Sequence, residues 1–205
     1  MKTFIATSAV AALNMQELTE MAIDKIKKAE SPFLGSHGTN KHCGNVNVQP
    51  DFTLESYLGT WYELYRDIPD WWYNGECVMT RYSLKATDKI NVANTVQDRN
   101  PDGSFKDRSH PGVGTATYAD LNNKDAHLKV RFTWLQPWGT YNVLATDYET
   151  YSVVYECDNF LFDTFNLENL WVLTRQPLDH SNPEDHVEIE RISKEVKKAL
   201  AGNGI

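Results

Sequence analysis

From Gly59 onward, apolar and polar residues alternate in short runs broken by turn residues, which is the period of half-buried β-strands. The runs fall near 60–68, 77–86, 89–98, 113–121, 126–134, 140–147, 151–157 and 170–176. Asn100-Pro101-Asp102-Gly103 and Gln136-Pro137-Trp138-Gly139 read as turns between them. Strands in simple succession predict an all-β fold, an eight-stranded antiparallel up-and-down barrel, whose closure removes exposed sheet edges. Beyond the last run the period changes to that of a helix. Ile189, Ile192, Val196 and Leu200 form one apolar stripe, Asn182 is placed to cap it with Pro183 at the first position, and Glu184 and Asp185 complement the dipole. Lys194, Lys197 and Lys198 lie toward the other end and Gly202 stops it, so a C-terminal α-helix over 183–201 is predicted.

The first 42 residues follow neither pattern. Lys2 followed by the apolar run Phe4 to Leu13, with Ala9, Ala11 and Ala12, has the form of a secretory signal over residues 1–14 and is too short to span a bilayer. Its alternative is a modestly apolar N-terminal helix. Leu18, Met21, Ala22, Lys25 and Ile26 then recur at helical spacing within Met15 to Ser31, and Ser31-Pro32 with Gly35 to Gly38 marks a break. A pro-segment, a docking helix and a spacer all fit residues 15–42. The remaining 43–205 are expected to form one domain, with the barrel over 57–177.

Charge and composition narrow the function. With 20 Lys and Arg against 28 Asp and Glu, net charge −8, the chain lacks the basic stripe that a nucleic-acid partner requires. Six Trp among 12% aromatics suit a protein that grips planar apolar surface. Strand parity gives the wall of a cavity: with Arg131 and Thr133 facing water, Val130, Phe132 and Trp134 turn inward, as do Val92, Asn94 and Val96 on the third strand. His127 turns outward, which disfavours haem carriage by a barrel histidine. His37, His42 and Cys43 are irregularly spaced in a Gly/Asn-rich arm and read as solvated loop, so no metal site is expected.

Three blocks carry a resemblance to a known family. Gly59-Thr60-Trp61-Tyr62-Glu63, Thr146-Asp147-Tyr148 and Trp171-Val172-Leu173-Thr174-Arg175 resemble, in order, the signature blocks of the lipocalins. Val48-Gln49-Pro50-Asp51-Phe52 and Leu144-Ala145-Thr146-Asp147-Tyr148, with Tyr151 and Val154-Tyr155, are similar to the apolipoprotein D and bacterial lipocalin branch. The resemblance covers Cys43 to Pro177 and the following helix. It implies that Gly59, Trp61, Asp147 and Arg175 close one end of the barrel, Arg175 lying across the Trp61 indole. It also implies that Tyr82, Asn94, Phe132, Tyr141 and Trp171 line a ligand cavity, whose expected wall further includes Val92, Val130, Val143 and Val154. Aromatic side chains that simply fill the barrel are the structural alternative.

Members of that branch bind fatty acids, steroids or other lipids, and some relatives hold bilin pigments. The expectation is therefore a secreted protein, extracellular or in the lumen of the secretory pathway, that binds and transports a small hydrophobic ligand without catalysis. No cofactor is expected beyond a bound lipid or pigment. A bilin or carotenoid carrier is the first alternative, and an enzyme acting on a lipid or isoprenoid the second. The family also implies a disulfide between Cys43 and Cys157. Cys77 matches a second family cysteine whose partner in the C-terminal tail is missing, so it is expected to stay a thiol, most simply buried and inert, or to pair with another chain or a ligand. Trp71, Trp72, Tyr73, Pro137, Trp138, Phe160, Leu161, Phe162 and Phe165 belong to loops at one mouth of the barrel. Such an apolar rim suits weak contact with a membrane or lipoprotein surface, an oligomer contact, or a lid over the ligand. Oligomeric state is not set by the sequence.

Overall fold

The computed structural model describes residues 30–31, 35–36, 43–67, 75–107, 109–160 and 165–205. The signal segment 1–14, nearly all of 15–42, His37 and His42, and Trp71, Trp72, Tyr73, Leu161 and Phe162 lie outside the described residues, as do the side chains of Phe160 and Phe165. Within 15–42 the described part is an antiparallel ladder of two residues each, Glu30–Ser31 with Gly35–Ser36.

Eight antiparallel strands close into a barrel in sequence order, the last pairing with the first. They are β1 (Gly59–Asp67), β2 (Glu76–Ala86), β3 (Lys89–Gln97), β4 (Ser109–Tyr118), β5 (His127–Arg131), β6 (Gly139–Thr146), β7 (Tyr151–Phe160) and β8 (Phe165–Thr174). One helical turn, α1 (Leu54–Tyr57), precedes β1, and α2 (His186–Ala201) follows β8. The expected eight-stranded barrel with a C-terminal helix outside it is the observed architecture. Two boundaries differ in ways that matter below: β5 stops at Arg131, and β8 begins at Phe165.

Helix α2 starts later than its cap signals suggest. Asn182 spends its side-chain oxygen on the Glu184 amide at 3.2 Å, so Asn182 to Asp185 form a turn and the helix begins at His186, with Asp185 as N-cap. The apolar stripe of Ile189, Ile192, Val196 and Leu200 is buried as expected, and Ile192, Val196 and Leu200 pack on Leu144, Tyr151, Val153, Tyr155, Leu170 and Val172, the outward residues of β6, β7 and β8.

Alternation is broken at two places under this helix. Leu173 pairs with Glu63 but Val172 with Tyr65, so Leu64 is an extra residue in β1; Leu144 is likewise extra in β6, between Val143 and Ala145. Each bulge adds an apolar residue to the outer cluster, where Leu64, Tyr65, Leu144 and Ala145 all pack. The bulge in β1 also reverses the parity beyond it. Strict alternation from the inward Trp61 would turn Tyr65 in and Arg66 out; instead Arg66 faces Trp171 on the inner side.

The segment before the barrel is tied down covalently and by hydrogen bonds. Cys43 is bonded to Cys157 near the end of β7. The Gln49 amide donates to the Val143 carbonyl at 2.8 Å, and Gln49 Oε1 accepts from the Thr146 amide at 2.9 Å. Outside the barrel His127 joins Asp125 Oδ1 at 2.9 Å and the Val46 carbonyl at 3.1 Å, the outward orientation that parity gave it.

Candidate functional site

The barrel is sealed at one end and hollow above. At the sealed end Trp61 is fully buried, its indole N–H donating to the Tyr57 carbonyl at 2.9 Å. The Arg175 guanidinium lies 3.7 Å from the indole ring centroid and donates to the carbonyls of Tyr148, Thr60 and Ser56 at 2.8, 3.0 and 3.1 Å. Gly59 makes room for it: its φ is +104°, and a Cβ there would stand 3.0 Å from the guanidinium. Asp147 orders the β6–β7 turn by accepting from the amides of Glu149, Thr150 and Tyr151 at 3.2, 2.8 and 3.0 Å and from the Thr150 hydroxyl. Burial opposes its ionisation, but these hydrogen bonds prevail and hold its carboxyl below the usual range. Phe52, Leu54, Tyr57, Ile90, Tyr118, Leu128, Val143 and Val154 complete the packed end.

Above this floor lies a cavity of about 340 Å³, within the range of small-ligand sites. Tyr82, Val92, Asn94, Val130, Phe132, Tyr141 and Trp171, all expected in its wall, line it. Val143 and Val154, expected with them, do not: they point inward but sit fully buried in the packed end. Trp134 is corrected more strongly, being 81% exposed, because β5 ends three residues before it and parity no longer applies. Phe132, one residue past that strand end, still reaches the cavity by lying against Gly114, where a Cβ would come within 2.9 Å of its ring. Val96 is buried against Gly75 and is not among the lining residues. Trp138 is partly covered from outside, with Arg131 4.4 Å and Lys129 5.7 Å from its ring centroid. Cys77 is exposed at a bulge in β2, with φ +50°, which overturns the buried thiol; it is not among the lining residues.

The floor of the cavity is a chain of hydroxyls. Ser152 Oγ lies 2.8 Å from the Tyr57 hydroxyl, which lies 3.2 Å from that of Tyr141, which lies 2.6 Å from that of Tyr82. Burial pushes Tyr57 up to about 12 and raises Tyr82 and Tyr141 well above the ordinary phenol value, so all three stay protonated. Four hydroxyl protons serve three links, which leaves one donor for an acceptor beyond the chain. On β3 the Asn94 side-chain oxygen accepts from Thr80 Oγ1 at 2.8 Å.

Sequence reasoning missed the polar wall on the other side. Glu63 and Arg66 of β1 and Glu156 of β7 line the cavity, and Glu63 and Arg66 form an ion pair of 3.1 Å. Arg66 also donates to the Gly75 carbonyl at 2.6 Å. Glu156 Oε2 accepts from the side-chain amide of Asn169, its cross-strand partner on β8, at 2.6 Å. Burial pushes Glu63 up to about 7 against the pull of Arg66. Burial pushes Glu156 up to about 8, with the neighbouring Asp158 carboxyl adding to it and the Asn169 amide opposing. Glu63 belongs to the first signature block and shares the parity of Trp61, a signal that was available. Arg66 gave none, because its orientation depends on the bulge at Leu64.

Comparison with known proteins agrees with this architecture. Residues 52–193 match the family model of the lipocalin-like domain. Apolipoprotein D of Cavia porcellus is 38% identical over 133 residues, 65% of this chain, and the chain spans 66% of that relative's length. Among solved structures, insecticyanin from the tobacco hornworm Manduca sexta superposes with a TM-score of 0.59 at 20% identity, covering 80% of this chain and 84% of that one. Lobster apocrustacyanin A1 superposes with 0.54 at 18% identity, covering 75% and 74%. At those identities the two structures speak for the fold alone.

Proposed function

This chain belongs to the lipocalin family, and we propose that it is a secreted protein that binds and carries one small hydrophobic molecule in the barrel cavity, without catalysis. The observation that carries this reading is the cavity itself. About 340 Å³ is left open above a floor in which the polar groups are hydrogen-bonded to one another, and its wall joins Val92, Val130, Phe132, Trp171 and Leu173 to a few oriented polar groups. Apolar burial would drive binding, Trp171 would stack on the ligand, and Tyr82, Tyr141 and Asn94 would set its orientation. The resemblance to apolipoprotein D and the Cys43–Cys157 disulfide both favour an oxidising compartment. Contact with a membrane or lipoprotein surface belongs to the same proposal, since Trp134 and Leu135 at the mouth are 81% and 74% exposed. Liposome flotation tests that part, and protein left wholly in the bottom fraction removes it.

The carrier reading is tested by native mass spectrometry of protein purified from its own source, with the released molecule identified and an absorption spectrum recorded. One lipid per barrel is the expected result. A visible absorption band would replace the lipid by a pigment, and a reproducibly empty barrel would overturn the reading.

A further inference from the structure

The cavity is two-sided, and its polar side is rich in hydrogen-bond acceptors. Val92, Val130 and Phe132 form the apolar side, on β3, β5 and the end of β5. Glu63 and Glu156 form the other, on β1 and β7, with Asn169 of β8 packed behind Glu156. Only one described cation, Arg66, lines the cavity, and its guanidinium is engaged by Glu63 Oε1 and the Gly75 carbonyl. The acceptors are less well served. Asn169 is 1% exposed, its amide nitrogen is given to Glu156, and its side-chain oxygen is buried without a hydrogen-bond partner. Glu156 receives that one amide on Oε2. Its Oε1 is directed at Gly139, where the missing side chain leaves space that a Cβ would occupy at 2.9 Å, and its carboxyl shares a hydrogen bond with that of Asp158. Asp158, next along the same face, is already taken up by the Thr140 amide at 3.1 Å.

We propose that this wall is a head-group site for a long-chain amine, whose ammonium group would sit at Glu156 beside Asn169 while the chain lies against Val92, Val130, Phe132 and Trp171. The inference rests on the carrier reading above and deepens it. A buried carboxyl next to an unpartnered amide oxygen is completed by a group that donates several hydrogen bonds and carries positive charge. A fatty-acid carboxylate brings the opposite: a further acceptor and a further negative charge beside Glu156, Asp158 and Glu63, with the Arg66 guanidinium already in use.

The charged and titratable groups around Glu156 are Asp158 on its own strand and Glu63 and Arg66 on β1; Tyr155 and Glu168, on β7 and β8, pack on or point toward the outer face. In the empty cavity burial keeps Glu156 largely protonated at pH 7. An ammonium head pairs with the carboxylate, so the Glu156 proton leaves to solvent as the amine binds.

The test uses the whole protein, stripped of bound lipid, and three probes with the same octadecyl chain: octadecylamine, octadecanol and octadecanoic acid. Titration is followed by Trp fluorescence, and by calorimetry at pH 7 in two buffers of different ionisation enthalpy. The amine is expected to bind at least ten-fold more tightly than the acid and more tightly than the alcohol, with release of close to one proton. Glu156→Gln is expected to remove the proton release and at least ten-fold of the amine affinity while leaving the alcohol within about two-fold, the isosteric amide keeping the fold. Acid or alcohol binding as tightly as the amine, or an amine titration with the same heat in both buffers, would overturn the head-group site and leave the carrier reading intact. Failure of all three probes to bind would overturn both.

Discussion

The two halves of the barrel are built from the same strands with the same alternation, yet one is solid and the other hollow. At the sealed end the inward positions carry Trp61, Ile90, Leu128, Val143 and Val154, capped by Tyr57 of α1, all with less than 2% of their surface exposed. In the hollow half the same faces carry Gly112 and Gly139, together with Thr80, Asn94, Glu63 and Glu156. Secondary structure is therefore not what makes a cavity here; side-chain volume along each inward row is. The polar groups differ in the same sense. Arg175 and Asp147 have their hydrogen-bonding groups occupied by the backbone around them, whereas the side-chain oxygen of Asn169, beside Glu156, is buried without a hydrogen-bond partner. One end is filled by folding and the other is left open as a cavity.

The sharpest way to break this comparison is to hollow the solid end. Trp61→Ala should cost about 3–5 kcal/mol of stability by loss of transfer energy and a residual cavity, measured by chemical denaturation. A loss below about 1 kcal/mol would mean that the end is not packed as a core. Next, Arg175→Met, which keeps much of the side chain but removes the charge and three carbonyl contacts, should cost about 1–3 kcal/mol while changing ligand affinity less than three-fold. An affinity change larger than the stability change would join the two halves functionally. In the hollow half the order reverses: Trp171→Ala should weaken binding of the natural ligand about ten-fold, equivalent to about 1.4 kcal/mol, with a smaller effect on stability than Trp61→Ala. Equal losses from the two tryptophans would erase the distinction.

The smallest effect concerns pH. The folded pKa of Glu156 is raised to about 8, above that of an unfolded Glu, so the unfolded state releases this proton first as pH rises. The stability attached to the protonated form is complete below the unfolded value and is lost as pH rises through about 8, with Glu63 adding to the fall near 7. The melting temperature of the empty protein should decline between pH 6 and pH 9, and Glu156→Gln should flatten the decline. A wild-type melting temperature that rises over that interval would show that neither carboxyl is held protonated by burial.

How much of this the sequence disclosed follows the same division. The sealed end was legible because its residues belong to the recognisable blocks: Arg175 lies over Trp61 as the resemblance implies, and Asp147 orders the neighbouring β6–β7 turn. The apolar wall was legible by parity as far as strands stay regular. Parity failed where a strand ended, which exposed Trp134, and where inward residues belong to the wrong level of the barrel, which hid Val143 and Val154 in the core. The polar wall was illegible for another reason. Placing Arg66 requires knowing that β1 holds one residue more than β8 across it, and placing Glu156 beside Asn169 requires the register of β7 on β8; neither is encoded in a local run of residues. The helix was legible in its apolar stripe and misleading at its start, where Asn182 caps a turn instead.

The extra residue Leu64 acts as a phase shifter between two surfaces that share one strand. It lets Leu64 and Tyr65 both seat the outer helix cluster while Arg66 returns to the chamber. A strand that kept Leu64 in regular alternation, without the bulge, would have the same composition and every motif intact. It would nevertheless swap the destinations of the neighbouring side chains, sending an aromatic ring toward the ligand and a guanidinium toward the helix. In this strand a frame of one residue, more than the identity of any one of them, carries the address of each side chain.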